Sequence, residues 1–434
     1  MKVYSFLRGG IRYSDPAVPP RDSSVTAFLP VLSVIPLVQH VGNRANPVVA
    51  SGDRVREGML IGRGQGLGSA NIHATVPGRV VRTVSWKMAE GLTNDALVIK
   101  LEGGFEKLGR YQEIFPWQGL SPFELQRIIA EYGIVEMEGS GRPVSDMLYS
   151  LRAVKNPVTL VARCVFDDPW LQADYVLCRE RAAAVAEGCR IVARAGRMNR
   201  IVFVLSKGER ELGDMLMDNM GKTEIPTDMI LAGSRYPQRN GRELELVVRR
   251  YGKKHGIDLG AILPLGPATL AAVHDAVKLK KPILERYVAV GGSAIKKPQV
   301  MKVRIGTRIG EIFAECGGFV DKPRRIGAGS PLMGRTIVDL DEPVIKTSFA
   351  IFAVLHGQTG EKGRARCTGC GACRSVCPIG LDPEALYKYT KRPDNRDSMP
   401  GRAAECHGCG CCEVVCPSRL PLRTTIIRSA LKGN

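Results

Sequence analysis

From about residue 30 to residue 100, apolar and polar positions alternate over short stretches. LVQHVGNRANPVVASGDRVREGMLIG and NIHATVPGRVVRTV keep this period of two, with Gly, Pro and Asp between the runs. Successive side chains of a strand face opposite sides, so the pattern predicts short, half-buried strands joined by turns. A small barrel or sandwich suits them. The period changes after residue 120. FELQRIIAEYGIV has helical spacing, whereas NPVTLVARCVF and RIVFVLS are continuous apolar runs of buried-strand length. ADYVLCRERAAAVAEGCRIVARAG reads as one long helix with Gly near its end, and GRELELVVRRYGKK and PATLAAVHDAVKLKK read as two more. Helices alternating with buried strands predict an α/β layered domain on a mostly parallel sheet. Strands return at RYVAVGG and MKVRIGT, followed by the short helix GEIFAECGG, the order of a β-grasp-like α+β unit. The chain is thus expected to be multidomain, α/β and α+β: a β-rich barrel-sandwich over 1–110, an α/β domain over 111–280, a β-grasp domain over 281–356 and a cysteine-rich domain over 357–434.

Composition narrows the class. The 434 residues are 44% hydrophobic and 24% charged, ordinary for a globular protein and against disorder. The longest apolar run, Val25–Val38, is interrupted by Pro30 and Pro36 and is too short to span a bilayer. The opening MKVYSFLRGGIRYSD lacks the apolar core of a signal peptide, so a cytoplasmic location is expected. His40 and His73 fall in strand-like stretches without Cys or carboxylate at metal-ligand spacing, which favours a structural role. A formal net charge of +19 admits a solvated basic surface, a face for anionic lipid or an acidic partner, or nucleic acid. The last is weakest: aromatics are only 6% and no nucleic-acid-binding motif is readable.

The cysteines carry the chemistry. Nine of 13 lie in the last 70 residues; Cys164, Cys178, Cys189 and Cys316 are scattered and read as small buried hydrophobes. Cys367, Cys370, Cys373 and Cys377 precede Pro378, and Cys406, Cys409, Cys412 and Cys416 precede Pro417. Both are C-x2-C-x2-C-x3-C-P, the bacterial ferredoxin run, in which three thiolates hold one [4Fe–4S] cubane and the fourth ligates the other. The expected sets are therefore Cys367, Cys370, Cys373 and Cys416 for one cluster, and Cys406, Cys409, Cys412 and Cys377 for the second. A zinc site would spend two C-x2-C pairs and leave the rest unexplained. Cys411 is outside the spacing and reads as filler. Arg364, Arg366, Arg374 and Arg402 would offset the negative charge of the clusters. The 28-residue spacer between the quartets holds a short helix, PEALYKY, and a polar loop, KRPDNRDSMPG; PLRTTIIRSALK reads as a closing helix.

The order of these parts resembles the RnfC subunit of the Rnf complex, the ion-translocating ferredoxin:NAD oxidoreductase of bacterial and archaeal membranes. QHVGNRANPVVASGDRV and IHATVPGRV resemble its barrel-sandwich segment, and GIVEMEGSGRPVS stands at its glycine-rich loop. RYPQ at 235–238 is similar to the family's KYPQ, and RYVAVGGSAIKKPQVMKVRIGT with AGSPLMG to its β-grasp, or soluble-ligand-binding, segment. The resemblance implies a Rossmann-like α/β domain of the complex I flavoprotein type and a two-cluster ferredoxin-like end. In the family, FMN and NADH bind against the glycine-rich loop, roughly G-I-V-G-x-G-G-A-G-F-P-T with a lysine after it.

This chain departs from that loop. Glu136 and Glu138 stand at two glycines, Ser140 at the alanine, Arg142 at the aromatic, Val144 at the threonine and Met147 at the lysine; Gly139, Gly141 and Pro143 remain. The family's E-C-E-P reads Arg163-Cys164-Val165-Phe166, and the glycine after KYPQ is Arg239. Carboxylates and added Cβ atoms oppose phosphate binding, so Gly139, Gly141 and Tyr236 are vestigial candidates and nucleotide binding is expected to be weak or lost. The alternative is a changed pocket in which Arg142 and Arg163 re-form an anion site.

The resemblance implies an electron-transfer subunit of a membrane-bound, ion-translocating oxidoreductase (a translocase), peripheral at the cytoplasmic face of the inner membrane. Its expected partners are the other subunits of the complex, a ferredoxin or a flavodoxin, with no nucleic acid and with attachment to the membrane through partners. Two other readings are a non-catalytic assembly or docking module and a cobalamin reductase of a bacterial microcompartment.

Overall fold

The computed structural model describes residues 2–87, 93–105, 114–239, 241–356, 365–390 and 401–432. At its centre five strands lie parallel in the order Val3–Tyr4, Thr227–Ala232, Arg200–Ser206, Val158–Cys164, Ala261–Leu265. Apolar runs occur here because both faces are covered. Val161, Val202, Val204 and Ile230 pack against Leu244, Val247 and Val248 of helix Gly241–His255. The alternate residues Leu160, Ala162, Ile201 and Phe203 face a second core with helices Ala182–Ala195 and Pro267–Lys278. The helix expected at FELQRIIAEYGIV runs Pro122–Glu131 and starts at a capping box, in which Ser121 and Glu124 bond reciprocally.

The long helix expected from ADYVLCRERAAAVAEGCRIVARAG is two helices, Gln172–Glu180 and Ala182–Ala195, broken at Arg181. Local spacing shows no break there, and the residue at the break is held by a distant partner. The Arg181 guanidinium makes a two-pronged bond to Asp275 at 2.6 and 3.0 Å, 94 residues on. The second of the two helices then presses on Pro267–Lys278 at Gly188, where any Cβ would collide with the Leu270 carbonyl.

A four-stranded antiparallel sheet (Leu32–Pro36, Thr93–Leu101, Gly78–Lys87, Arg54–Val55) and a three-stranded one (Asn46–Pro47, Leu60–Arg63, Ile72–His73) enclose Ile35, Leu37, Ile61, Ile72, Leu97 and Ile99. His73 ends a strand, but His40 lies in a bend outside any strand, its Nε2 2.8 Å from the Asn43 carbonyl. Burial and the nearby Lys346 push His73 down to about 3, so it stays neutral. The β-grasp sheet centres on Glu285–Gly291, antiparallel to Gln299–Arg304 and parallel to Ala350–Val354, with Ile312 and Phe313 of helix Ile309–Glu315 in its core.

Within the expected 1–110 domain, the segment ahead of Leu32 pairs with other parts of the molecule. Val3–Tyr4 is the edge of the parallel sheet, Ile11 bridges to Tyr236, Ser24–Thr26 pairs with Gln299–Arg304, and only Leu32–Pro36 enters the barrel. The alternation that marked the barrel begins near residue 30, and the earlier residues carry no such period. The expected boundary at 110/111, Arg364 and most of the polar loop at 391–401 lie outside the described residues. Lys346 joins the parts: its buried Nζ donates to the carbonyls of Asn71 and Gly133, each at 2.8 Å.

Candidate metal centres and nucleotide cradle

The two cysteine runs fold alike. Gly371 and Gly410 are left-handed (φ 73° and 80°) and each starts a one-turn helix, Ala372–Ser375 and Cys411–Val414. A side chain there would be strained. The turns face each other, and the chain exchanges its fourth cysteines. Cys367, Cys370, Cys373 and Cys416 line one cavity. Cys377, Cys406, Cys409 and Cys412 line another, which Cys411 also borders. The structure thus brings together the two sets expected from the spacing. Backbone amides reach the sulfurs: Gly369 N–H approaches Cys367 Sγ at 3.5 Å and Leu381 N–H approaches Cys377 Sγ at 3.2 Å. Among the described residues no three His, Cys, Asp or Glu side chains close on a point as a single metal ion requires. Four thiols around a cavity, with amides aimed at sulfur, fit a cubane.

The two cavities differ in surroundings. Cys370 is exposed, whereas Cys411 is fully buried. The second loop is docked on the α/β domain: the Tyr236 hydroxyl donates to the Cys409 carbonyl at 2.8 Å, and Cys411 Sγ lies 3.9 Å from the Tyr236 carbonyl. The basic surround is partly neutralised, since Arg374 pairs with Asp382 at 3.1 Å.

The degenerate loop sits above the N-terminus of helix Pro267–Lys278. Glu136 accepts from Ser140 N–H, from Ser140 Oγ at 3.0 Å and from Arg163 Nη2 at 2.7 Å. Glu138 accepts from Thr269 N–H at 2.9 Å and from its hydroxyl. Burial, with Asp174 and Glu136 nearby, pushes the Glu138 carboxyl upward. Arg239 donates to Asp174 at 3.2 Å and to the Glu138 carbonyl at 3.3 Å. Arg286, 1% exposed, reaches Asp174 at 3.4 Å and the Met137 carbonyl at 3.2 Å. Gly139 and Tyr236 border a cavity of about 340 Å³ beside this network, with Asp167, Asp168, Arg239 and Ser330. Burial pushes Asp167 up to about 7, and its Oδ1 has no hydrogen-bond partner. Gly141 is turned away, its carbonyl accepting from Val41 N–H at 3.0 Å. Arg142 is exposed and does not join Arg163 in an anion site. These residues do not fit a flavin phosphate: the donors that would hold it already bond carboxyl groups. Sequence reasoning missed Asp174, Thr269 and Arg286, because nothing in their spacing marks them; only the Gly266-Pro267 helix start hinted at Thr269.

Four family descriptions match the chain in order: "RnfC Barrel sandwich hybrid domain" over residues 6–104, "Nuo51 FMN-binding domain" over 129–262, "SLBB domain" over 287–336 and "4Fe-4S dicluster domain" over 366–420. The C subunit of the ion-translocating oxidoreductase complex of Rhodobacter capsulatus is 33% identical over 368 residues, covering 83% of this chain and 70% of that one. The C subunit of the proton-translocating ferredoxin:NAD(+) oxidoreductase complex of Clostridium ljungdahlii is 31% identical, covering 88% and 83%. A solved NAD+-reducing [NiFe]-hydrogenase chain in the H2-reduced state superposes with a TM-score of 0.51 at 12% identity, over 73% of this chain and 62% of that chain, a likeness of fold alone. With its parts in this order and two relatives above 30% identity over most of both chains, the protein belongs to the RnfC family of ion-translocating oxidoreductase subunits.

Proposed function

We propose that this chain relays electrons through two [4Fe–4S] clusters as a peripheral subunit of an Rnf-like, ion-translocating oxidoreductase. One cluster is held by Cys367, Cys370, Cys373 and Cys416, the second by Cys406, Cys409, Cys412 and Cys377. The observation that carries this is the pair of adjacent four-cysteine cavities with exchanged fourth ligands. When bound, each cubane takes up and releases one electron at a time. The protein's own residues set the rest. The thiols hold the clusters, the amides at Gly369 and Leu381 stabilise charge on sulfur, and Tyr236 fixes the second loop against the α/β domain. The exposed side of the first cluster offers an entry for a protein carrier such as a ferredoxin or flavodoxin.

Among the described residues no helix is long and apolar enough to cross a membrane. Attachment to the cytoplasmic face therefore rests on partner subunits, helped by the basic charge near anionic headgroups. Anaerobic reconstitution should give about eight iron atoms per chain, with paired-cluster EPR signals after dithionite. Membranes should retain the chain only while the partner subunits are present. Clusters that reduce only on unfolding would support the assembly-module reading instead.

A further inference from the structure

A loop of backbone N–H groups beside a helix N-terminus is a ready anion site. This chain keeps both elements and fills them from within. We propose that Glu136 and Glu138 are built-in occupants of the phosphate-binding donors of the Nuo51-type domain, so that this subunit binds neither FMN nor NADH.

Three observations carry the inference. First, the donors are spent. Glu136 takes the Ser140 amide and hydroxyl, and Glu138 takes the Thr269 amide and hydroxyl on helix Pro267–Lys278. The fit at the helix start is close, since a side chain at Gly266 would run into the Glu138 carboxyl group. Second, each guanidinium already faces a carboxyl group, although Arg163 Nε and Arg286 Nε and Nη1 have no hydrogen-bond partner. Arg163 is bonded to Glu136, and Arg239 and Arg286 share Asp174. With Glu138, these make three acidic and three basic side chains, so a phosphate would have to displace carboxyl groups already seated among the guanidinium groups. Third, the departures from the family pattern answer one another. Glu136 stands where a glycine is expected and Arg163 where a glutamate is expected, and the two form one ion pair. Arg239, also at a glycine position, bonds the carbonyl of Glu138. Random loss would leave the new buried charges without partners; here the replacements meet each other.

The inference builds on the relay reading only in placing electron entry at the clusters. The test uses the full, cluster-loaded chain under anaerobic conditions. FMN is titrated by calorimetry and flavin fluorescence, NADH is titrated with and without FMN, and dithionite serves as a separate reductant. The expected result is no saturable FMN binding and no cluster reduction by NADH in either condition. The E136G/E138G variant should then bind FMN or inorganic phosphate at least about tenfold more tightly than the parent, equivalent to about 1.4 kcal/mol. Stoichiometric FMN binding by the unaltered protein overturns the proposal. So does a double-glycine variant that retains its fold, by circular dichroism and cluster absorbance, yet gains no anion affinity. If that variant does not fold, the titration of the unaltered chain decides alone. Clusters that dithionite cannot reduce count against the relay reading, while the fluorescence titration still decides the question of the flavin.

Discussion

The hydroxyl of Tyr236 donates to the main-chain carbonyl of Cys409 at 2.8 Å, tying a loop of the parallel-sheet domain to a thiol loop 173 residues later. Tyr236 is 3% exposed and its ring meets Tyr13 edge-on. Tyr236→Phe keeps the ring packing and leaves the carbonyl short of a donor. The expected cost is about 1 kcal/mol, seen in chemical denaturation of the cluster-loaded protein. Iron release on air exposure should also quicken, and from the second cluster first.

Exchange of the fourth cysteines makes the sharpest prediction about the centres. Cys416→Ala should cost the first cluster although it lies in the second run, and Cys377→Ala should cost the second. Each should halve the iron content. Cys411→Ala should leave iron unchanged. Iron analysis with EPR of the remaining cluster checks all three.

Arg163 and Glu136 are 11% and 4% exposed in their side chains, so removing one partner strands a buried charge. Arg163→Met alone should destabilise by about 3–5 kcal/mol. Adding Glu136→Gln should recover most of that loss, and a double-mutant cycle by urea denaturation measures the coupling.

Helices Ala182–Ala195 and Pro267–Lys278 approach so closely at Gly188 that a methyl group would strike the Leu270 carbonyl. Gly188→Ala, usually favourable within a helix, should here cost about 1–3 kcal/mol through overpacking. Thermal denaturation would show a lower Tm.

Lys346 gives a pH dependence with a definite sign. Burial pushes its ammonium down to about 7, against about 10.4 in an unfolded chain. Below about pH 7 both states are charged and the full cost of burying the charge is present. Between about pH 7 and 10 the unfolded chain holds a proton that the folded chain has released, so this residue makes stability rise with pH. The nearby His73 is pushed down to about 3 and adds no change in that window. From pH 7 to pH 9 the unaltered protein should gain about 2 kcal/mol relative to Lys346→Met, measured by urea denaturation at both values.

Much of this was readable in the sequence, for reasons that differ by region. The 2-2-3 cysteine spacing is local and strict, so it named both thiol sets that the fold gathers around two cavities. Runs such as RIVFVLS and NPVTLVARCVF are apolar throughout because both faces of their sheet are covered, and they became Arg200–Ser206 and Val158–Cys164. The break at Arg181 was not readable, because the apolar spacing runs through it unchanged and the Asp275 that bonds Arg181 lies 94 residues on. Strand Thr227–Ala232 escaped notice because its first half is only partly buried. At the loop, sequence showed which residues were foreign to the family pattern. It did not show that Glu136 and Arg163, or Glu138 and Thr269, were partners, since each pair is assembled by the tertiary fold.

The threading of the first 36 residues has a consequence for biosynthesis. Among the described residues, Val3–Tyr4 finds its strand partner at Leu231–Ala232, and Ser24–Thr26 finds its own at Val300–Lys302. On the ribosome, these strands are made well before either partner and must wait for both regions before their backbone is paired. Closing such long loops is slow, and unpaired strand edges invite association with other chains. The segment therefore works as a late fastener: sheets assembled in succession are locked together by polypeptide that was synthesised ahead of them.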